Sequence, residues 1–140
     1  FDFGIARTLP SDKRHTADST YKMTKEVGTR RYMAPEVVLG KSYNTGCDVY
    51  AFSLILWELY LLAGKPLAEY SGAEQLREAA CVRCERPPLD DIPSDNLREL
   101  LEFGWHDDLS QRWTMRQIQK ALLLECYREE EESSSHTDCQ

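Results

Sequence analysis

Apolar residues are densest between Val49 and Leu62, where their spacing predicts a helix. Capping signals at Asn44–Asp48 precede this stretch, and Gly64-Lys65-Pro66 ends it. Because apolar residues occur on every side, the helix should be either buried or membrane-spanning. A span needs about 20 mostly apolar residues, and this shorter stretch is interrupted by Ser53 and Glu58. We therefore predict a central buried helix and no membrane span in this chain.

Four further segments show helical patterns. A short helix is predicted over residues 36–40, a second over 73–84 and a third from about Ser94 to Phe103. The last helix begins at Thr114, where Thr114 and Gln117 have the spacing of a capping box. The positions expected to be buried in the last two helices are Leu97, Leu100, Leu101, Met115, Ile118, Ala121 and Leu122.

The two ends of the chain lack this periodicity. Residues 1–33 are polar and rich in hydroxyl and basic side chains, which predicts a long loop that is either functional or disordered. From Ile5 to Met33 there are seven Lys or Arg against three Asp or Glu. We expect residues 131–140 to form an acidic, polar, disordered tail. An acidic interaction tail is the alternative.

Charge and cysteine content narrow the class of protein. The net charge is −7, of which Glu129–Glu132 and Asp138 supply −5. No dense basic stripe with interleaved aromatic residues occurs, so we expect no nucleic-acid partner. The five cysteines are irregularly spaced and no signal peptide pattern is present, which favours a reduced, cytoplasmic protein. Cys81 and Cys84 are expected to be two cysteines on a helix rather than metal ligands.

Two short motifs give the strongest indication of function. Asp2-Phe3-Gly4 opens the chain, and Ala34-Pro35-Glu36 follows a hydroxyl-rich loop and Gly28-Thr29. This order resembles that of protein kinases, nearest to the tyrosine-kinase-like group of serine/threonine kinases. The similarity continues to about Tyr127 through Asp48–Ser53, Leu56–Leu59, Gly104–Asp107 and Arg112–Thr114.

The resemblance implies a mainly α fold, the C-terminal lobe of a protein kinase domain. The kinase part would cover residues 1–130, with an activation segment at 2–36 and a helical lobe at 37–130. The parent domain would be α+β, with its N-terminal lobe missing from this chain. Ser53 and Trp113 depart from the family's usual Gly and Pro, and both lie in the scaffold.

The resemblance also implies roles on the nucleotide side. Asp2 would hold Mg²⁺ against the phosphates of ATP, and Gly4 would belong to the same nucleotide site. Phe3 would pack beneath the N-terminal lobe and report the active or inactive state. Asp48 would accept backbone hydrogen bonds from the family's catalytic loop.

Other implied roles concern the protein substrate. Thr29 would lie where the acceptor residue approaches the catalytic Asp, and the stretch around it resembles that of serine/threonine kinases. Glu36 would pair with Arg112 and fix the activation segment to the lobe. Thr24 is our choice of activation-loop phosphosite, modified by an upstream kinase or by autophosphorylation. Lys22, Lys25, Arg30 and Arg31 are the basic residues nearest to it in sequence.

Several kinase motifs have no match in this chain. The Gly-rich loop, the strand Lys, its helix Glu and the H-R-D-x-x-x-x-N catalytic loop all precede D-F-G in the family. The chain is therefore expected to be a fragment that holds no catalytic base and transfers no phosphate by itself. The predicted function of the parent is transfer of the ATP γ-phosphate to Ser or Thr of protein substrates. A pseudokinase or scaffold that binds without catalysis is the alternative, and an unrelated helical interaction domain is a third, disfavoured by the ordered motifs.

Overall fold

The computed structural model describes residues 4, 6, 8–9, 20–21, 29–62 and 64–135, with side chains described as far as residue 128. These residues are mainly helical, and their one strand-like feature is an isolated antiparallel bridge between Tyr21 and Tyr43. A 3₁₀ turn over Arg30–Tyr32 precedes the helices. They are α1 (Pro35–Val38), α2 (Gly46–Leu61), α3 (Ala73–Arg77), a π-helical turn (Glu78–Val82), α4 (Asp95–Gly104) and α5 (Met115–Ser135).

Helix α2 packs against α4, and α4 packs against α5. The N-terminus of α2 is capped by a residue that precedes the helix, because the Asn44 side-chain oxygen accepts a hydrogen bond from the Gly46 N–H at 2.8 Å. One face of α2 is buried, including Leu54 and Trp57. The prediction that α2 is buried on every side is wrong for the described part of the chain, since Leu59 is 64% exposed. Because α2 is apolar on all sides, its sequence does not show which side the neighbouring helices cover.

Helix α4 agrees with its sequence pattern. Ser94 is the N-cap, and its hydroxyl accepts a hydrogen bond from the Leu97 N–H at 3.2 Å. Leu97, Leu100 and Leu101 are all buried, as predicted from their spacing. They join α2 and α5 in one hydrophobic core.

Helix α5 agrees with its pattern at the start and departs from it further on. The capping box is present, since the Thr114 N–H donates to the Gln117 side chain at 2.9 Å. Ile118 and Ala121 are buried, whereas Met115 is 44% exposed and does not belong to the predicted buried stripe. Met115 is the first residue of the helix and lies at the edge of the core. The helix also continues to Ser135, beyond the start of the predicted tail at 131, because glutamates are good helix formers.

The predicted helix over 73–84 is shorter and less regular than expected. α3 passes directly into the π turn, and Cys84 lies after it with a positive φ of 54°. Cys81 is therefore on the π turn and Cys84 is outside any helix, contrary to the prediction of two cysteines on one helix. Single π turns are frequent at functional sites.

Helices α2 and α4 approach most closely at Gly104. A Cβ atom added to Gly104 would overlap the Ser53 hydroxyl and lie 3.0 Å from the Ser53 Cβ. Ser53 is fully buried, and its hydroxyl donates to the Val49 carbonyl at 2.9 Å. The serine that departs from the family pattern therefore faces a residue with no side chain. In the part of the chain that the structure describes, no helix is long and apolar enough to cross a membrane.

Candidate functional site

The structure describes some of the predicted site residues and not others. Gly4, Thr29 and Asp48 are described and exposed, and Glu36 and Arg112 are described and buried. The predictions for Asp2, Phe3 and Thr24 lie outside the described residues.

Glu36 and Arg112 form a buried, bidentate ion pair. Pro35 begins α1 and places Glu36 in its first turn. The Arg112 Nη1 and Nη2 atoms donate to the two Glu36 carboxylate oxygens at 2.6 and 3.1 Å. The side chains are 1% exposed for Arg112 and 7% for Glu36. The pair that the resemblance implied is thus present, and it joins residues 76 positions apart.

Arg112 also bonds two backbone carbonyls. Its Nε donates to the His106 carbonyl at 2.9 Å, and its Nη1 donates to the Gly46 carbonyl at 3.0 Å. The guanidinium carbon lies 5.2 Å from the ring centre of Tyr50, which is buried. One guanidinium therefore ties α1, the start of α2 and the loop before α5 together. We call Glu36, Arg112 and Tyr50 the interior junction.

A second arginine covers Tyr50. The Arg86 guanidinium carbon lies 5.1 Å from the Tyr50 ring centre, and its Nη2 pairs with Asp107. Arg86 also donates to the Trp105 carbonyl at 3.1 Å. Burial raises the pKa of Tyr50 to about 12, so the phenol is neutral between the two cations. Cation–π contacts contribute more where water is excluded, as at this ring.

Tyr32 holds the segment after Thr29 against α2. Its hydroxyl donates to the Glu58 carboxylate at 2.6 Å, and this hydrogen bond raises the pKa of Tyr32. The Tyr32 N–H donates to the Thr29 carbonyl at 3.0 Å, which closes the 3₁₀ turn. Thr29 itself is exposed.

Arg31 fixes the same turn to a different element. Its Nη1 donates to the Pro66 and Leu67 carbonyls at 2.7 and 2.5 Å, and its Nη2 donates to the Tyr70 carbonyl at 2.8 Å. We call these three bonds the clamp. Residues 29–33 and 64–70, which the clamp joins, are called the Arg31 edge.

A groove runs between the 3₁₀ turn and α3. Its cavity volume is about 180 Å³, which suits a single side chain. Met33, Val38, Leu76 and Ala80 give it apolar walls, and Arg30, Arg77 and Glu74 lie at its border. The Arg77 guanidinium pairs with Glu74 at 3.3 Å. The groove therefore has apolar walls with charged side chains at its border, and Arg30 in its lining directly follows Thr29 in the chain.

Asp48 is described without the partners that the resemblance implied. It lies in the first turn of α2 and is exposed. The adjacent Cys47 thiol lies 3.8 Å from its carboxylate, and burial followed by the Asp48 charge raises the pKa of Cys47 to about 12. Its role toward the catalytic loop stays a prediction, because that loop precedes D-F-G in the family.

Sequence reasoning missed the clamp, the Tyr32–Glu58 bond and the groove. A signal for the Tyr32–Glu58 bond existed, since Glu58 is a charged residue within the apolar stretch of α2 and needs a polar partner there. The clamp left no signal, because its acceptors are backbone carbonyls, which every residue has.

Comparison with known proteins defines the class. A family model for protein tyrosine and serine/threonine kinases matches residues 1–122 of the 140. The chain therefore belongs to this family, and its described helices are those of the mainly α C-terminal lobe.

Named relatives agree with this class. The chain is 37% identical over 121 residues to the dual specificity protein kinase shkC of Dictyostelium discoideum, covering 86% of this chain and 23% of that protein. It is 36% identical to the serine/threonine-protein kinase STY46 of Arabidopsis thaliana, with 86% and 19% covered. It is 34% identical to the serine/threonine-protein kinase VIK of the same plant, with 86% and 26% covered. The chain thus spans about a quarter or less of these relatives.

Proposed function

We propose that the protein carrying this chain transfers the γ-phosphate of ATP to Ser or Thr side chains of protein substrates. The observation that carries the proposal is the interior junction, which fixes the end of the activation segment to the lobe through Glu36 and Arg112. Thr29, seven residues before Glu36, is exposed next to a turn that is bonded on two sides. This arrangement supports the presentation of an acceptor hydroxyl at a fixed position.

Mg²⁺ and ATP are part of the proposal. A carboxylate such as that of Asp2 is a hard oxygen ligand of the kind Mg²⁺ prefers, and Mg²⁺ usually takes one or two carboxylates together with phosphate oxygens. Among the described residues, no group of three His, Cys, Asp or Glu side chains could hold a metal ion. We assign metal binding to Asp2 on the motif resemblance, with ATP phosphates among the other ligands. When bound, Mg²⁺ neutralises charge on the phosphates.

Ser and Thr are proposed as acceptors on the sequence around Thr29. Gly28-Thr29 followed by Arg30-Arg31-Tyr32 resembles serine/threonine kinases. Two of the relatives reported above are named serine/threonine kinases, and one is named a dual specificity kinase. Tyrosine is therefore the acceptor that the test must separate from Ser and Thr.

The test uses the longest natural polypeptide that contains this chain. It is incubated with radiolabelled ATP, Mg²⁺ and a mixed protein substrate, and the labelled amino acids are separated after acid hydrolysis. We expect phosphoserine and phosphothreonine. Label found only in phosphotyrosine would contradict the acceptor assignment, and MgATP binding without transfer would favour the pseudokinase alternative.

Thr24 is proposed as the regulatory phosphosite, modified by an upstream kinase or by autophosphorylation. A phosphate adds a charge of about −1.5 to −2 and binds well to arginine or lysine. The Arg31 guanidinium already donates to three carbonyls, so we expect Lys22 and Lys25 to serve instead. Mass spectrometry of active protein checks this, and full activity with unmodified Thr24 would refute it. A cytoplasmic location is proposed on the cysteine content alone.

A further inference from the structure

The clamp holds a loop whose backbone is in a costly conformation. Leu67 has a φ of 51°, which places a non-glycine residue in the left-handed region. Its carbonyl accepts hydrogen bonds from both Arg31 and the Tyr70 N–H, at 2.5 and 3.1 Å. Leu67 and Pro66 are buried residues, and the hydrogen bonds from Arg31 to their carbonyls are partly buried. Arg31 is therefore a main source of hydrogen bonds for this loop.

The other end of the clamp lies in the wall of the groove. Arg30 and Met33, on either side of the Arg31–Tyr32 pair, both line it. Tyr32 holds the turn to α2 through Glu58, whereas Arg31 holds it to loop 64–70. The turn is thus fixed by two consecutive side chains that bond two different elements. Removing Arg31 removes the three hydrogen bonds that join the turn to loop 64–70, so the turn can shift relative to α3.

We propose that Arg31 is a positioning residue for the protein substrate. By bonding three carbonyls of loop 64–70 it holds the groove and the backbone beside Thr29 in the geometry that the substrate requires. This inference rests on the proposed kinase function. Its effect falls on the protein substrate rather than on ATP, since the clamp acts on the groove beside Thr29.

The chemistry requires arginine rather than a cation in general. A guanidinium presents five N–H groups in a rigid plane, which lets one side chain serve three carbonyls at once. A lysine ammonium is a compact charge on a flexible stem and cannot reproduce this fork. Arg31→Lys therefore separates the geometry of the clamp from its charge.

The experiment measures Michaelis constants for a phosphorylatable peptide and for ATP in the longest natural polypeptide that carries this chain. The variants are Arg31→Ala, Arg31→Lys and Arg98→Ala. Arg98 is the matched control, because its guanidinium pairs with the exposed Asp95 on its own helix, α4. Thermal unfolding is recorded for each, so that loss of the fold is separated from loss of substrate positioning.

We expect Arg31→Ala to raise the peptide KM by about tenfold or more, with the ATP KM within about twofold of wild type. Arg31→Lys should lie nearer to Arg31→Ala than to wild type, and Arg98→Ala should match wild type. If Arg31→Ala does not fold, Arg31→Lys decides the question by the same comparison.

Several results would overturn the inference. An unchanged peptide KM in Arg31→Ala, an equal rise in both KM values, or wild-type behaviour of Arg31→Lys would each do so while leaving the kinase function intact. Absence of any phosphate transfer by the wild type would instead contradict the proposed function, and the inference would fall with it.

Discussion

The interior junction and the Arg31 edge both depend on an arginine fork, yet the two forks bind different targets. Arg112 meets a carboxylate inside the lobe, with 1% of its side chain exposed. Arg31 meets three backbone carbonyls, and its side chain is only partly buried. A buried charge that loses its partner is costly, whereas carbonyls near the surface can be solvated instead. The junction should therefore control stability, and the Arg31 edge should control the position of the substrate.

The largest expected effect concerns the ion pair of the junction. Glu36→Gln and Arg112→Met each leave one buried charge without its partner, and we expect each to lower the unfolding free energy of the kinase domain by about 3–5 kcal/mol. Arg112→Met should cost more, because Arg112 also serves the His106 and Gly46 carbonyls. Denaturant unfolding of the longest natural polypeptide measures both.

The double variant tests whether the two charges act as a pair. Glu36→Gln combined with Arg112→Met removes both charges. The double variant should therefore lose less unfolding free energy than the sum of the two single losses, by more than about 1 kcal/mol. Strictly additive losses would show that the two side chains do not depend on each other. Double charge reversal is a weaker test, since a carboxylate at position 112 would face two carbonyl oxygens.

An intermediate loss of stability is expected from a change at the contact between α2 and α4. Gly104→Ala would place its Cβ against Ser53 in the buried contact, and overpacking of this kind costs about 1–3 kcal/mol. Gly72→Ala is the matched control, because its Cβ would meet only the flexible end of Gln75, at 3.3 Å.

A compensating change sharpens this prediction. Ser53→Gly removes the hydroxyl and the Cβ that Gly104→Ala would meet, so the double variant should recover part of the lost stability. If Gly104→Ala melts like Gly72→Ala, or if Ser53→Gly gives no recovery, the close contact between α2 and α4 is not as described.

The smallest effect concerns the Arg31 edge. Tyr32→Phe removes the hydrogen bond to Glu58 and should lower the unfolding free energy by about 1 kcal/mol. The bond raises the pKa of Tyr32, so the unfolded state loses its phenol proton first. The contribution of this hydrogen bond to the unfolding free energy is complete below a pH of about 10. It is lost as the pH rises through the raised pKa of Tyr32.

The difference between wild type and Tyr32→Phe should therefore shrink on the alkaline side of pH 10. Unfolding at pH 8 and at pH 11 measures this difference against the same reference. A difference that grows with pH would contradict the bond, because it would mean that the folded state favours the phenolate.

Sequence reasoning succeeded where side-chain identity decides the structure. The spacing of Leu97, Leu100 and Leu101 defined the buried face of α4, because α4 has polar residues on its other side. The motif order paired Glu36 with Arg112, two side chains of opposite charge. In both cases the residue type itself carries the information.

Sequence reasoning failed where the backbone or the neighbouring elements decide. The clamp could not be predicted, since carbonyls of Pro66, Leu67 and Tyr70 have no signature in the sequence. The exposed face of α2, with Ile55 at 44% and Leu59 at 64%, could not be separated from its buried face by hydrophobicity. The spacing of residues along one helix does not predict where the neighbouring helices pack.

The most direct test of the central claim is phosphate transfer by the longest natural polypeptide, measured with MgATP and a protein substrate in wild type, Asp2→Asn and Asp18→Asn. Asp18 provides a carboxylate from the same segment with no assigned role. We predict transfer by wild type and Asp18→Asn, and loss of transfer by Asp2→Asn of at least about 100-fold, since Asp2 is the proposed ligand of the metal that neutralises the phosphates. Equal transfer by Asp2→Asn and wild type would contradict the account.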